Sequence, residues 1–460
     1  MLDESLVRKV LSTAAGKGAD LAEIFAEKRR TTAFRLDDRR VEDVSSGRES
    51  GAGIRVLVGD RAAYAYTNVL TEEALLEAAR NARAGLDAGD AEIPSLHEVE
   101  PTTTHPVLQP PDAMAGDQIV DGLRAADDSA RGTSGEIRQV NASYASIVQD
   151  VLIASSDGRM ARDSRTRVRF AVQVVAGRDG VIATGFEAPG HSGGAELLID
   201  QPPAELAARA AEKAVRMLDA RPSPAGEFPV VLAPGTGGVL IHEACGHGLE
   251  GDTLVKDASV YANRQGERFG SEIVSIVDDG SDVGAWGSFG VDDEGTPAQR
   301  TVLFDQGVLI GCLTDLRSAR SLGLEPSGNG RRQSYAHLPV VRMTNTYLLP
   351  GPDDPDEIIR SVDRGVYAAT FSGGEVNPAT GNFVFGMSEA YMIINGAIAY
   401  PIRGANLIGN GPQVLGAIEA VAADFGRKEG VCGKDGQAAP VTNGMSTVLL
   451  SKMTVGGTEA

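Results

Sequence analysis

An α+β protein of two strand-rich domains with mixed and antiparallel sheets is the architecture this sequence predicts, and three observations point to it. Its 460 residues exceed what a single hydrophobic core usually supports. Its 56 glycines, with β-branched and aromatic runs set between turn residues, favour sheets over long helical bundles. Helical patterning is confined to a few separated amphipathic stretches. With 23% charged and 42% hydrophobic residues, the chain has the proportions of one that folds rather than one that stays disordered.

Residues 4–16 (ESLVRKVLSTAAG) put Leu6, Val7, Val10 and Leu11 on one side and end on Gly16, which predicts an opening helix. Strands follow in three stretches, AEIFAEKRRTTAFRL, VEDVSSG and GAGIRVLVGDRAAYAYTN, with Gly59-Asp60 as a hairpin turn. Thr71-Glu72-Glu73 caps a helix running to about Ala84 and ending before Gly85. Residues 90–112, rich in Pro, Thr and acids, show neither period and read as a surface connection, so His97 and His105 are expected to be exposed loop residues. A short helix near 117–130 leads into a second β-rich run, 137–186, punctuated by turns at Ser156-Asp157-Gly158 and Arg178-Asp179-Gly180. His191, in PGHSGG, reads as a loop residue. The clearest helix is 202–219, alanine-rich with Pro202-Pro203 at its start. The Pro-rich segment RPSPAGEFP after it marks the boundary between an N-terminal α+β domain, 1–222, and a C-terminal β-rich domain, 228–460.

In the second domain VVLAP reads as a buried strand and GTGG as the turn into a helix, with Thr236 as its cap. That helix carries the stretch GGVLIHEACGHGLEGD, which holds two of only six histidines with a glutamate directly after the first. A His-Glu pair followed closely by another His presents two imidazoles to a metal and keeps a carboxylate beside the attacking water. His242 and His247 are the candidate ligands and Glu243 the candidate base. The spacing is one residue longer than the usual H-E-x-x-H; at about 100° per residue, positions i and i+5 lie roughly 140° apart. Either a π-type turn absorbs the extra residue or His247 sits where the helix ends, and the flanking Gly246 and Gly248 permit both. A structural zinc normally takes four protein ligands and no free carboxylate, so Glu243 favours catalysis.

Two histidines need a third protein ligand. Carboxylates are numerous and individually uninformative, whereas Cys432, in VCGKDGQ, offers a thiolate among turn residues near the chain end, where a loop could fold back over the site. Cys312 sits in the apolar LIGCL and reads as core, and Cys245 as a packing residue. Arg331 and Arg332 are open to two readings, substrate holders or a solvated pair, and His337 reads as a satisfied histidine.

The net charge of −20 argues against nucleic-acid or anionic-membrane binding. Three cysteines are too few for a disulfide framework, the N-terminal MLDESLVRKV lacks a secretory pattern, and no apolar run reaches the length of a membrane span. A cytoplasmic protein is the expectation.

HEACGH with GLEGD, RRQSYAHLPVVRMTNTYLLPG, NPATGNFVFGMSEAYMI, GANLIGNGP, and CGKDGQAAPVTNG with a closing TVGG together resemble the TldD branch of the TldD/PmbA metalloproteases, long labelled modulators of DNA gyrase. The resemblance implies zinc on His242, His247 and Cys432, with Glu243 as the catalytic glutamate. It also implies hydrolysis of unfolded or extended peptides, by a chain that works with a PmbA/TldE-like paralogue or as a dimer with itself. Two rivals remain: a non-enzymatic modulator of gyrase or of a toxin–antitoxin pair with a structural zinc, and a cysteine hydrolase built on Cys245.

Overall fold

The computed structural model describes residues 2–59, 61–84 and 91–458. The first sheet has the order Arg61–Thr67, Arg40–Val58, Leu21–Asp37, Ile137–Ser155, Arg159–Arg178, His97–Val99, and Val181–Glu187 and Gly190–Ser192 also pair with Arg159–Arg178. The strands are longer than expected. VEDVSSG and GAGIRVLV merge into one strand, Arg40–Val58, because its glycines serve close approach rather than turning: a Cβ on Gly51 would lie 2.4 Å from the Tyr335 ring, and one on Gly53 1.8 Å from the Tyr64 hydroxyl. The turn that does form is Asp38-Arg39, with φ of 45° and 73°. Of the anticipated turn Gly59-Asp60, Asp60 lies outside the described residues, as does Gly85. The turns ending at Gly158 and Gly180 form where the sequence placed them.

Four helices cover one face of this sheet. Glu4–Ala15 and Glu72–Ala82, capped by Asp3 and Thr71, bury Val7, Val10, Leu11 and Leu75 against Ile24 and Ile54. Gly116–Thr133 and Pro203–Met217 bury Leu123 and Leu206 against Val140, Phe170 and Val172. Along Leu21–Asp37 the even residues Ala22, Ile24 and Ala26 face those helices, so Glu23, Phe25 and Glu27 point the other way. There Phe25 packs with Val291 of the C-terminal part. Glu23 accepts from Arg332 and Arg55; Arg55 reaches Glu294 at 2.6 Å, and Arg165 reaches Asp293 at 2.6 Å, all of them buried. A ladder of paired charges therefore fastens the first sheet to the loops around residues 290–332.

The C-terminal part holds two larger sheets. In one, Arg364–Val376, Gly226–Leu232, Val448–Gly456, Asn406–Asn410 and Asn382–Ile394 follow one another, and Arg364–Val376 pairs again with Asn382–Ile394, closing the path into a ring of strands. In the other, Val308–Leu309, Arg300–Asp305, Ile276–Asp279, Asn345–Leu348 and Gln437–Met445 lead to the edge strand Gly426–Lys434. The largest core lies between them and surrounds the motif segment through Leu240, Ile241, Cys245 and Leu249. Parallel pairs, such as Asn345–Leu348 with Gln437–Met445, sit beside antiparallel ones, so the sheets are mixed. No helix among the described residues is long and apolar enough to cross a membrane.

Three histidine readings are corrected. His97 lies on a short strand beside Arg159, although its side chain is exposed. His191 belongs to the strand Gly190–Ser192 and its Nε2 meets the Gly194 carbonyl at 2.7 Å. His105 is half-buried: its Nδ1 accepts from the Gly284 amide at 3.1 Å, while Nε2 is buried without a partner.

Candidate metal centre

The strand Gly226–Leu232 delivers the chain to a short helical turn, Gly238–Ile241. Thr236 does not cap it; Gly237 occupies that position in helical conformation, with no side-chain cap. His242–Gly246 then forms a π turn, in which the His247 amide donates to the His242 carbonyl, and His247–Leu249 tightens to a 3-10 turn. The widened turn absorbs the extra residue, and the α-helix ends there too. Gly246 has an ordinary helical φ of −57°. Glycine is required by packing instead: a Cβ there would lie 1.8 Å from the Met343 sulfur, and one on Gly248 would lie 2.8 Å from the Tyr261 ring.

Cys432 reaches the same place on a strand, not on a folded-back loop. Gly426–Lys434 pairs with Gln437–Met445 through a two-residue turn, Asp435-Gly436, with φ of 50° and 72°. Buried Arg342 donates to the Cys432 carbonyl and fixes the strand's height over the motif.

The Cys432 sulfur lies 3.3 Å from Nε2 of His242 and 3.3 Å from Nε2 of His247, whose rings stand edge to face at 5.0 Å. The three donor atoms fall within 4.8 Å of one another, and among the described residues no other group of His, Cys, Asp or Glu converges in this way. A tetrahedral zinc bound at about 2.0–2.1 Å to nitrogen and 2.3 Å to sulfur sets such donors about 3.5 Å apart, so the donor set and its spacing fit that ion. Burial opposes ionisation of the Cys432 thiol, but His242 and then His247 outweigh it and draw it down to about 4. Glu243 Oε2 stands 3.8 Å from Nε2 of His247.

The donors open onto a cleft of about 530 Å³ that His242, Glu243 and His247 share with Gly373, Gly374 and Val431. Behind His247, Glu250 Oε2 meets Nδ1 at 3.0 Å, and Lys434 Nζ meets Glu250 at 3.0 Å and Asp252 at 2.7 Å. Sequence reasoning did not single out Glu250 or Lys434, although Glu250 stands three residues after a suspected ligand and Lys434 two after another.

The remaining candidates fall elsewhere. Arg331 and Arg332 are neither exposed nor in the cleft: Arg331 donates to the carbonyls of Met343 and Pro440, and Arg332 belongs to the charge ladder. His337 Nδ1 lies 2.9 Å from the Ser334 hydroxyl. Cys245 is fully buried, and burial pushes its thiol up to about 12, which leaves it without a thiolate to attack with. Cys312 packs partly buried against the main core.

Three consecutive stretches match the PmbA/TldA metallopeptidase domains: residues 22–85 domain 1, 109–218 the central domain, and 225–457 the C-terminal domain. A protein of Haemophilus influenzae named metalloprotease TldD homolog is 36% identical over 99% of this chain and 97% of its own length. A zinc metalloprotease TldD homolog of Saccharolobus solfataricus is 34% identical over 55% of this chain and 57% of its own. The crystal structure of TldE from Thermococcus kodakarensis shares the fold, with a TM-score of 0.78 at 19% identity over 98% of this chain and all of that one. With near-complete coverage by a relative above 30% identity and three family domains in order, this chain belongs to the PmbA/TldD metallopeptidase family.

Proposed function

We propose that the chain is a zinc-dependent metallopeptidase that hydrolyses unfolded or extended peptides, with His242, His247 and Cys432 as ligands and Glu243 as the catalytic base. The observation that carries this reading is the convergence of two imidazoles and a low-lying thiol on one point, with a carboxylate 3.8 Å from one of them at the mouth of a cleft. The family and the zinc named for the Saccharolobus relative support it.

A bound zinc supplies a Lewis acid that brings water's proton loss toward neutral pH and polarises the scissile carbonyl. The rest falls to the chain. Glu243 takes the proton from the attacking water and returns it to the leaving amine. The peptide lies along the cleft as an added strand. Gly426–Lys434 is the last strand of its sheet, Val431 on it is 58% exposed, and the side-chain-free pair Gly373-Gly374 lines the same cleft. Such a site reads backbone and excludes folded substrates. The protein works in the cytoplasm, which suits its free cysteines, and pairs with a TldE-like paralogue or with a second copy of itself.

The test is to purify the chain with and without a PmbA-like partner, measure bound metal, and follow degradation of an unfolded peptide mixture by wild type and Glu243→Gln. One zinc per chain with cleavage, and the variant keeping zinc without cleaving, is the expected result. Equal behaviour of the two would assign the motif a structural role and overturn the peptidase reading.

A further inference from the structure

The two imidazoles are alike toward the sulfur and unlike behind it. Each presents Nε2 to Cys432 at 3.3 Å. The Nδ1 of His242 is buried with no partner, so packing alone sets that ring. The Nδ1 of His247 faces a carboxylate, Glu250, that is only 1% exposed. A proton on Nδ1 directed at Glu250 leaves the lone pair on Nε2, the atom that faces the other donors.

Glu250 is itself immobilised. Its backbone bridges to Leu313, with the Gly251 amide donating to the Leu313 carbonyl at 2.7 Å and the Leu313 amide to the Leu249 carbonyl at 2.9 Å. A carboxylate buried this deeply is costly unless paired, and Lys434 pairs with it at 3.0 Å while also holding Asp252 at 2.7 Å and the Val341 carbonyl at 3.1 Å. Lys434 and Cys432 are two apart on one strand, so their side chains share a face. The strand that brings the sulfur therefore also brings the cation that steadies the support of the opposing imidazole.

We infer that Glu250, held in place by Lys434, which Asp252 anchors in turn, is a positioning residue that fixes the ring and tautomer of His247 as a metal donor, with Lys434 acting through it. This rests on the zinc reading of the preceding section and extends it to residues that do not touch the metal. Loss of such a support typically weakens metal binding by about 10–100-fold.

The experiment uses the full chain, with zinc affinity measured by chelator competition and the cobalt(II)-substituted protein followed by its visible and thiolate charge-transfer absorption. Glu250→Ala should weaken zinc by about 10–100-fold and alter the cobalt bands in the visible range while the thiolate band persists. The isosteric Glu250→Gln should weaken it less. Lys434→Met should weaken it too, and adding Lys434→Met to Glu250→Ala should cost nothing further, because a residue acting only through another is silent once that other is gone. Should Glu250→Ala fail to fold, Glu250→Gln and Lys434→Met still decide. Zinc affinity within twofold of wild type in the folded variants, with Cys432→Ser abolishing binding, overturns this inference alone. Absence of zinc binding in the wild type overturns the reading beneath it, and this inference with it.

Discussion

The sheet of residues 21–192 and the sheets after residue 220 are made in opposite ways. In the first, strands near in sequence are mostly near in space, and the register between Leu21–Asp37 and Ile137–Ser155 runs unbroken from Glu23 opposite Ser155 to Asp37 opposite Asn141. In the second, Gly226–Leu232 pairs with Val448–Gly456, Asn345–Leu348 runs parallel to Gln437–Met445, and the register of Arg364–Val376 with Asn382–Ile394 shifts three times. Regular pairing makes a stiff wall whose position depends on little besides alternation. Irregular pairing costs backbone order, but it lets one cleft collect a π turn, an edge strand and a glycine pair from segments far apart in the chain. On the proposed site, shape falls to one half and chemistry to the other, with the ladder of buried charges as the joint.

Four changes would break or sharpen that division. Glu243→Gln strikes the chemical half alone: peptide hydrolysis should fall by about 10²–10⁴-fold while zinc content and melting temperature hold, as read by peptide assay, metal analysis and calorimetry. Arg332→Met strikes the joint. It leaves Glu23 buried with one partner fewer, and removing one member of a buried pair costs about 3–5 kcal/mol, to be measured by urea unfolding. If stability is unchanged, the two halves are not held by charge. Cys245→Ala tests whether the core beneath the motif is chemically silent: about 1 kcal/mol of stability should go, with hydrolysis within twofold of wild type. A collapse of activity would revive the cysteine hydrolase.

The smallest effect concerns pH. His105, from residues 91–112, accepts a hydrogen bond from the backbone amide of Gly284 in the C-terminal half. Burial, with Arg167 adding to it, lowers its pKa below the usual 6.5. The unfolded chain therefore takes up a proton near 6.5 that the folded chain refuses until lower pH, so this contribution is complete above 6.5 and is lost as pH falls below it. His105→Gln should flatten that part of the stability profile, and an unaltered slope in denaturation measured from pH 8 to pH 5, on the order of the usual histidine window, would show that the contact does not matter.

Local signals made the helices legible. Asp3 and Thr71 cap where their residue types suggest, and the alanine-rich stretch after Pro202 is helical. The motif histidines stood out because histidine is scarce here, and Cys432 because thiolates are rarer still. Less legible was whatever depends on approach across the fold. Gly47, Gly51 and Gly53 look like turn residues until Tyr64 and Tyr335 are seen against the last two. Arg332 stays open between substrate holder and solvated cation until Glu23, more than three hundred residues away, is seen beside it. Glu250 and Lys434 carried a faint signal, their spacing from suspected ligands, but carboxylates and lysines are too common for spacing to select them without the strand pairing that brings them together.

The distance in sequence between the motif and its sulfur is also a distance in time. Cys432 follows His242 by 190 residues and His247 by 185. A ribosome adding about 5–20 residues per second exposes the histidines some 10–40 s before the thiol. The hairpin bearing Cys432 closes fast once made, in about 1–10 μs, yet it reaches the motif only by parallel docking on Asn345–Leu348. On the proposed ligand set, the nascent chain is a poor competitor for metal until the hairpin bearing Cys432 emerges, and uptake becomes a mark of that hairpin's arrival. Stalled chains ending before residue 426 should bind zinc far more weakly than the chain of residues 1–460; equal affinity would place capture on the motif alone.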